Sequence, residues 1–137
     1  MNLEKDIQNI NPLVLAYMGD VLYEKSIREY LIKANYGSNV HKLHEIAIKF
    51  VSAKYQSLAF KHIVSKISED EMNVYKWGRN SKSKSQAKST SIINYRISTG
   101  LECLLGYLYF KGKGPRIDEI MSIIIDFLLN EDKKNDE

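Results

Sequence analysis

The sequence predicts a single all-α domain, and three observations lead to that prediction. Apolar residues recur at helical spacing along most of the 137 residues, and no useful length of the strict alternation that marks a strand interrupts them. The two prolines, Pro12 and Pro115, stand at expected helix boundaries rather than inside a helical run. Hydrophobic residues make up 44% of the chain, which suffices for one buried core and excludes disorder throughout.

The first helix has clear signals at both ends. Asn11 is a suitable N-cap and Pro12 a suitable first-turn residue, while Gly37 follows the last apolar residue of the pattern, Leu31. Its core-facing stripe is expected to consist of Val14, Met18, Val21 and Leu22.

Four further helices are expected after the first. They run from about Asn39 to Phe60, from the capping box that begins at Ser68 through Trp77, from about Thr90 to Tyr109, and from Arg116 to Leu129. Residues 78–89 lack apolar periodicity and are predicted to form a loop. The domain is therefore assigned to residues 12–129, with a lead-in at 1–11 and a charged, frayed tail at 130–137.

The charge of the chain is unevenly distributed. The net charge is only +3, yet the 21 residues from Lys76 to Arg96 contain six basic residues and no acidic one. The rest of the chain then carries 14 basic against 17 acidic residues. A concentrated basic segment of this kind is typical of a surface that binds phosphates.

Two carboxylates stand in unusually apolar surroundings, Asp20 in the first helix and Glu102 in the fourth. A carboxylate buried in such a stretch must be paired, hydrogen-bonded or metal-bound, because its desolvation would otherwise destabilise the fold. Each has a glycine close before it, Gly19 or Gly100, which indicates close helix packing or access for a ligand. Taken singly, either carboxylate is explained by bracing of neighbouring helices.

Together with the basic segment, these carboxylates favour phosphodiester hydrolysis. Mg²⁺ prefers carboxylate oxygens and keeps several waters, and such a metal activates water at a phosphate. Glu24, one turn after Asp20, is either a further participant or a solvated partner of a nearby basic residue. The residues expected to contact a nucleic-acid backbone are Arg79, Asn80, Lys82, Lys84, Lys88 and Arg96.

Two segments resemble the ribonuclease III family, and within it the Mini-III subfamily, which lacks a separate double-stranded-RNA-binding domain. Residues 15–24, LAYMGDVLYE, are similar to the signature helix with its Leu-Gly-Asp core, and residues 95–109, YRISTGLECLLGYLY, are similar to the second acidic helix. Three smaller pieces also fit the subfamily, at residues 51–54, 78–80 and 95–96. The resemblance extends from about Pro12 to Leu128.

The resemblance implies a homodimeric, Mg²⁺-dependent endoribonuclease that cuts double-stranded RNA, with Asp20 and Glu102 as the catalytic, metal-binding residues. It also implies that the natural substrate is the precursor of the large-subunit ribosomal RNA. Leu13, Ala16 and Thr99 stand where full-length family members have further acidic residues, so waters and RNA oxygens are the expected remaining metal ligands. Thr99 is a candidate neighbour of the metal site.

Two other functions fit parts of the sequence. A domain of the same fold that binds structured RNA without cutting it would explain the reduced acidic set. A helical adaptor with an acidic protein partner would explain the basic segment but leaves Asp20 and Glu102 without a role.

The expected compartment is the cytoplasm. The single cysteine, Cys103, excludes an internal disulfide framework and is expected to be a buried thiol. The sequence opens on no signal peptide, and no apolar run has the length of a membrane span.

Overall fold

The computed structural model describes residues 6–37, 39–81 and 91–135, and in these ranges it confirms the all-α class without any strand. The α-helices in this part of the chain are α1 (Pro12–Lys33), α2 (Val40–Val51), α3 (Ala53–Ile63), α4 (Glu69–Arg79), α5 (Ser91–Phe110) and α6 (Gly114–Asn135). Short 3-10 turns at Ile7–Asn9 and Val64–Lys66 precede α1 and follow α3. None of the described helices is both long and apolar enough to cross a membrane.

Helix α5 is the centre of the fold and packs against α1, α3, α4 and α6. Glycines allow its closest approach, which is to α1. A Cβ atom on Gly19 would lie 1.7 Å from the carbonyl oxygen of Glu102, and one on Gly106 would lie 2.0 Å from that of Leu15. Any larger residue would therefore force the two helices apart. This confirms that the glycine before Asp20 serves close helix packing.

The core is built around α5 from aliphatic residues and stacked aromatic rings. Phe60 of α3 and Tyr75 of α4 stack with ring centroids 3.6 Å apart. Gly100 of α5 leaves room for the Tyr75 ring, because a Cβ atom there would lie 2.7 Å from it. Cys103 is fully buried, as predicted. Ile7 is 2% exposed and packs in the same cluster as Cys103, so part of the N-terminal lead-in belongs to the core.

The predicted core stripe of α1 was wrong for Val14 and Val21, whereas Leu22 is partly buried against the core. Val14 and Val21 are 57% and 54% exposed. The residues of α1 that are buried are Leu15, Ala16, Gly19, Tyr23, Ile27 and Leu31. Apolar residues occur on every side of this helix, so their spacing alone did not identify the inner face. The inner face is the one that carries the glycine packed against α5.

The predicted second helix is two helices, divided at Ser52. Ser52 adopts an extended conformation with φ −63° and ψ 154°, and it ends α2. Its Oγ accepts a hydrogen bond from the backbone N–H of Tyr55, so the same residue is the N-cap of α3. The apolar pattern continues across this break, which explains why the sequence did not reveal it.

Three predicted boundaries also shift. Helix α4 continues through a buried Gly78 to Arg79, so the predicted loop does not begin at residue 78. Gly114 and Pro115 open α6 rather than close α5, and the turn between the two helices contains Gly112 with φ 74°. The tail expected to be frayed is helical as far as Asn135, and Lys49 of α2 pairs with Asp132 in it.

Candidate active site

A cleft of about 390 Å³ lies where α1, α3 and α5 meet. Asp20 of α1 and Glu102 of α5 both line it, so the structure brings the two predicted carboxylates together. The other lining residues are Leu13, Ala16, Tyr17, Val51, Ala53, Gln56, Tyr95, Ser98 and Thr99. The packing of Gly19 on the backbone of Glu102 places the two acidic helices against each other beside this cleft.

The two carboxylates differ in their exposure to solvent. Asp20 is exposed, contrary to the expectation that its apolar neighbours bury it, whereas Glu102 is half-buried. The difference follows from the inner face of α1: Gly19 touches α5, so the next residue turns towards the open side of the cleft. Asp20 is therefore accessible to a large ligand, while Glu102 lies deeper.

Burial raises the pKa of the Glu102 carboxyl to about 8, and the neighbouring Asp20 carboxylate contributes to this rise. A hydrogen bond from Gln56 opposes this effect because it favours the charged form of Glu102. The cleft itself therefore disfavours the charged form of Glu102. A cation in the cleft would stabilise the charged form of both carboxylates.

Gln56 of α3 is a site residue that the sequence reasoning missed. Its Nε2 donates hydrogen bonds to Oε2 of Glu102 at 3.2 Å and to the carbonyl oxygen of Val51 at 3.1 Å. The side chain is 2% exposed. A signal was present in the sequence, because Gln56 takes a core position in the same helical register as Ala59, Phe60 and Ile63. A polar side chain at such a position needs a partner.

Thr99 and Glu24, the two other predicted neighbours of the metal site, lie in different surroundings. Thr99 lines the cleft and is 7% exposed, and its hydroxyl donates to the carbonyl oxygen of Tyr95 at 2.9 Å. Glu24 accepts a hydrogen bond from Arg28 at 3.1 Å on the outer part of α1. Glu24 and Arg28 thus form a solvated ion pair, which is one of the two roles considered for Glu24 from the sequence.

Three of the predicted RNA-binding residues come together at a second pocket. Arg79 and Asn80 at the end of α4 and Arg96 of α5 line a space of about 280 Å³. The guanidinium of Arg79 donates to Asn80 Oδ1 at 3.1 Å and lies 5.6 Å from the centre of the Tyr75 ring. The other three, Lys82, Lys84 and Lys88, lie outside the described residues.

The donor atoms in the cleft fit a hard divalent cation. Asp20 and Glu102 offer carboxylate oxygens, and Gln56 has a buried Oε1 without a hydrogen-bond partner among the described residues. Over residues 6–37, 39–81 and 91–135, no group of three or more acidic, histidine or cysteine side chains is placed to hold a metal. Such a site would leave several coordination positions to water or substrate, which is usual for Mg²⁺ but not for a structural zinc site.

The fold and the site define an all-helical domain with an acidic cleft shared by two closely packed helices. The chain belongs to the ribonuclease III family, because the family model for the Ribonuclease III domain matches residues 13–113, which include both carboxylates. This confirms the family resemblance of the two acidic segments.

Several relatives within the family carry the name Mini-ribonuclease 3. The protein of that name from Clostridium tetani is 44% identical over 97% of this chain and 87% of its own length. The one from Staphylococcus aureus is 35% identical over 89% of this chain and 92% of its own length. A crystal structure of a Fusobacterium nucleatum protein is 31% identical, with a TM-score of 0.76, over 88% of this chain and 96% of that one.

Proposed function

We propose that this protein is a Mg²⁺-dependent endoribonuclease that cleaves double-stranded RNA. The observation that carries the proposal is the convergence of Asp20 and Glu102, from two different helices, on one open cleft. Membership of the ribonuclease III family and similarity to proteins named Mini-ribonuclease 3 support the same reaction. We infer from the family resemblance that the natural substrate is the large-subunit ribosomal RNA precursor, in the cytoplasm.

Asp20 of α1 and Glu102 of α5 would hold the cation in the cleft. The cation, when bound, lowers the pKa of a water molecule and stabilises the charge that develops on the scissile phosphate. Asp20 is exposed, so a backbone as bulky as that of duplex RNA can approach it. Glu102 supplies a charge from a less hydrated position, where electrostatic attraction is stronger.

RNA binding outside the cleft is assigned to basic side chains. Arg79 and Asn80 at the end of α4 line one pocket together with Arg96 of α5, the helix that also carries Glu102. The basic residues of the following segment, Lys82, Lys84 and Lys88, are proposed to bind neighbouring phosphates. Interactions of this kind depend on salt and hardly on sequence.

A second copy of the chain is proposed to complete the enzyme. Val14, Tyr17 and Val21 form an exposed apolar stripe on α1, and Tyr17 is 74% exposed while also lining the cleft with Asp20. Two-fold pairing along this stripe would cover it and would bring two acidic clefts close to one symmetry axis. Two such sites match the two antiparallel strands of a duplex. Tyr17→Lys should therefore convert a dimer into a monomer in sedimentation velocity.

Incubation of duplex RNA with the protein, in Mg²⁺ or in excess chelator, tests the activity. We expect cleavage only with Mg²⁺ and only of the duplex, not of a single strand of the same sequence. Asp20→Asn should keep the circular dichroism spectrum and the RNA affinity of the wild type but lose more than about 100-fold in cleavage rate. Cleavage by Asp20→Asn at the wild-type rate would refute the assignment.

The same experiment addresses the main alternative, a domain that binds structured RNA without cutting it. The presence of only two clustered carboxylates among the described residues favours that alternative. Duplex binding with no cleavage in Mg²⁺ or Mn²⁺ would decide for it.

A further inference from the structure

The side chain of Gln56 joins the acidic cleft to a third helix. It lies on α3, whereas Asp20 lies on α1 and Glu102 on α5. Its Nε2 donates to Glu102 and to the carbonyl oxygen of Val51 at the end of α2. The carboxylate of Glu102 is thereby tied to the junction between α2 and α3.

The orientation of the Gln56 amide is determined by these two acceptors. The carbonyl oxygen of Val51 and the ionised carboxylate of Glu102 both only accept, so the reversed amide would bring Oε1 against two acceptors. Oε1 is buried and has no hydrogen-bond partner among the described residues. An apolar side chain of similar volume would avoid the cost of burying this acceptor. The amide is therefore explained better by its effect on Glu102 than by packing.

We propose that Gln56 is a positioning residue that holds the Glu102 carboxylate in the orientation required for binding the cation. This inference rests on the proposed function. A carboxylate on a flexible side chain can rotate about its last bonds, and a hydrogen bond to one oxygen restricts that rotation and presents the other oxygen. Neighbours that orient metal ligands in this way typically contribute about 10- to 100-fold in metal affinity.

Binding of Mn²⁺ alone to the 137-residue chain, without RNA, tests the inference. Electron paramagnetic resonance reports the free Mn²⁺ at each total concentration and so yields the dissociation constant. We expect Gln56→Met, which keeps the side-chain volume, to weaken Mn²⁺ binding about 10- to 100-fold. Gln56→Asn, too short to bridge both acceptors, should weaken it in the same direction and covers the case in which the methionine variant does not fold.

Ser57→Ala is the matched control. Ser57 neighbours Gln56 on α3, is 1% exposed and also has a buried polar atom without a partner among the described residues, but it is not a lining residue of the cleft. We expect its Mn²⁺ affinity to stay within about twofold of the wild type. A loss equal to that of the Gln56 variants would mean that any polar change in this part of α3 disturbs the site, and would overturn the inference.

A double variant tests whether Gln56 acts through Glu102. When Glu102→Gln has already weakened binding, Gln56→Met should cause little additional loss, because the two changes remove the same interaction. An additional loss of tenfold or more would overturn the inference. Wild-type Mn²⁺ affinity in Gln56→Met would also overturn the inference. The Mn²⁺ affinity of Asp20→Asn tests the proposed metal site separately. If Asp20→Asn bound Mn²⁺ like the wild type, the proposed function itself would fail.

Discussion

Substitution of Gly19 by alanine tests whether the close packing of α1 on α5 builds the active site. The new methyl carbon would lie 1.7 Å from the carbonyl oxygen of Glu102, whereas a comfortable carbon–oxygen separation is about 3.3–3.6 Å. The helices must therefore separate by more than about 1.5 Å at this point. Overpacking costs about 1–3 kcal/mol or more, and alanine recovers about 1 kcal/mol of helix propensity relative to glycine. Because the clash is with backbone atoms, the upper end of that cost applies, and we expect a net loss of about 2 kcal/mol in the free energy of unfolding.

The same separation should impair catalysis beyond its effect on stability. It would move Glu102 away from the helix that carries Asp20, and a displacement of about 1 Å in an active site can cost about 100-fold in rate. Urea unfolding followed by circular dichroism measures the loss of stability. The protein concentration is kept fixed because the stability of the proposed dimer would depend on it. Single-turnover cleavage at a temperature where the variant is fully folded measures the loss in catalytic rate.

Gly114→Ala is the control for this prediction. A Cβ atom at Gly114 would meet nothing within 4 Å, so alanine there should leave both stability and cleavage near those of the wild type. Unfolding of Gly19→Ala within about 0.5 kcal/mol of the wild type, together with normal cleavage, would refute the argument from close packing.

Three further outcomes are expected. Burial raises the pKa of the Cys103 thiol to about 12, so a thiol reagent should react with it only as the protein unfolds; rapid labelling of the native protein would contradict this. The guanidinium of Arg116 binds both carboxylate oxygens of Glu71, at 2.8 and 2.9 Å, and thereby lowers the Glu71 pKa below its ordinary value of 4.5. A lowered Glu71 pKa stabilises the fold above about pH 4.5, and this stabilisation is lost as the pH falls through the pKa of Glu71 in the folded protein. Arg116→Met should therefore cost about 1.5–3 kcal/mol in the free energy of unfolding at pH 7. That difference from the wild type should shrink in acid, and a pH-independent difference in urea unfolding would argue against the ion pair. Finally, replacement of Arg79 and Arg96 by glutamine should weaken duplex binding, measured by fluorescence anisotropy in Ca²⁺. The slope of log K against log salt concentration should fall by up to about 0.9 for each phosphate that is no longer neutralised. Equal slopes for the variant and the wild type would exclude both arginines from the interface.

The fold class and both acidic residues were accessible from the sequence, whereas several local features were not. The helices carry periodic apolar residues and recognisable caps, and the capping box at Ser68 is present as predicted. Ser52 was missed because apolar residues continue on both sides of it, and an extended conformation at one residue leaves no mark in that pattern. The inner face of α1 depends on where a glycine permits the approach of another helix, which is information about packing rather than about spacing.

The site was predictable only in part for a similar reason. Asp20 and Glu102 stand out because their neighbours in sequence are apolar. Gln56 stands out only when its neighbours in space are known, since a glutamine in a helix is ordinary until the carboxylate beside it is seen. Residues that orient others are therefore harder to find from one sequence than residues that act directly.

The packing of Gly19 against the carbonyl oxygen of Glu102 has a consequence for protein engineering. Glu102 contributes one of the two carboxylates, and its backbone also forms the surface on which the helix of Asp20 packs. The two acidic helices are thus a single transplantable module, and neither would carry its half of the site into another scaffold alone. Attempts to change the ion preference proposed for this cleft should alter the side chains around it and leave the register of this helix pair untouched.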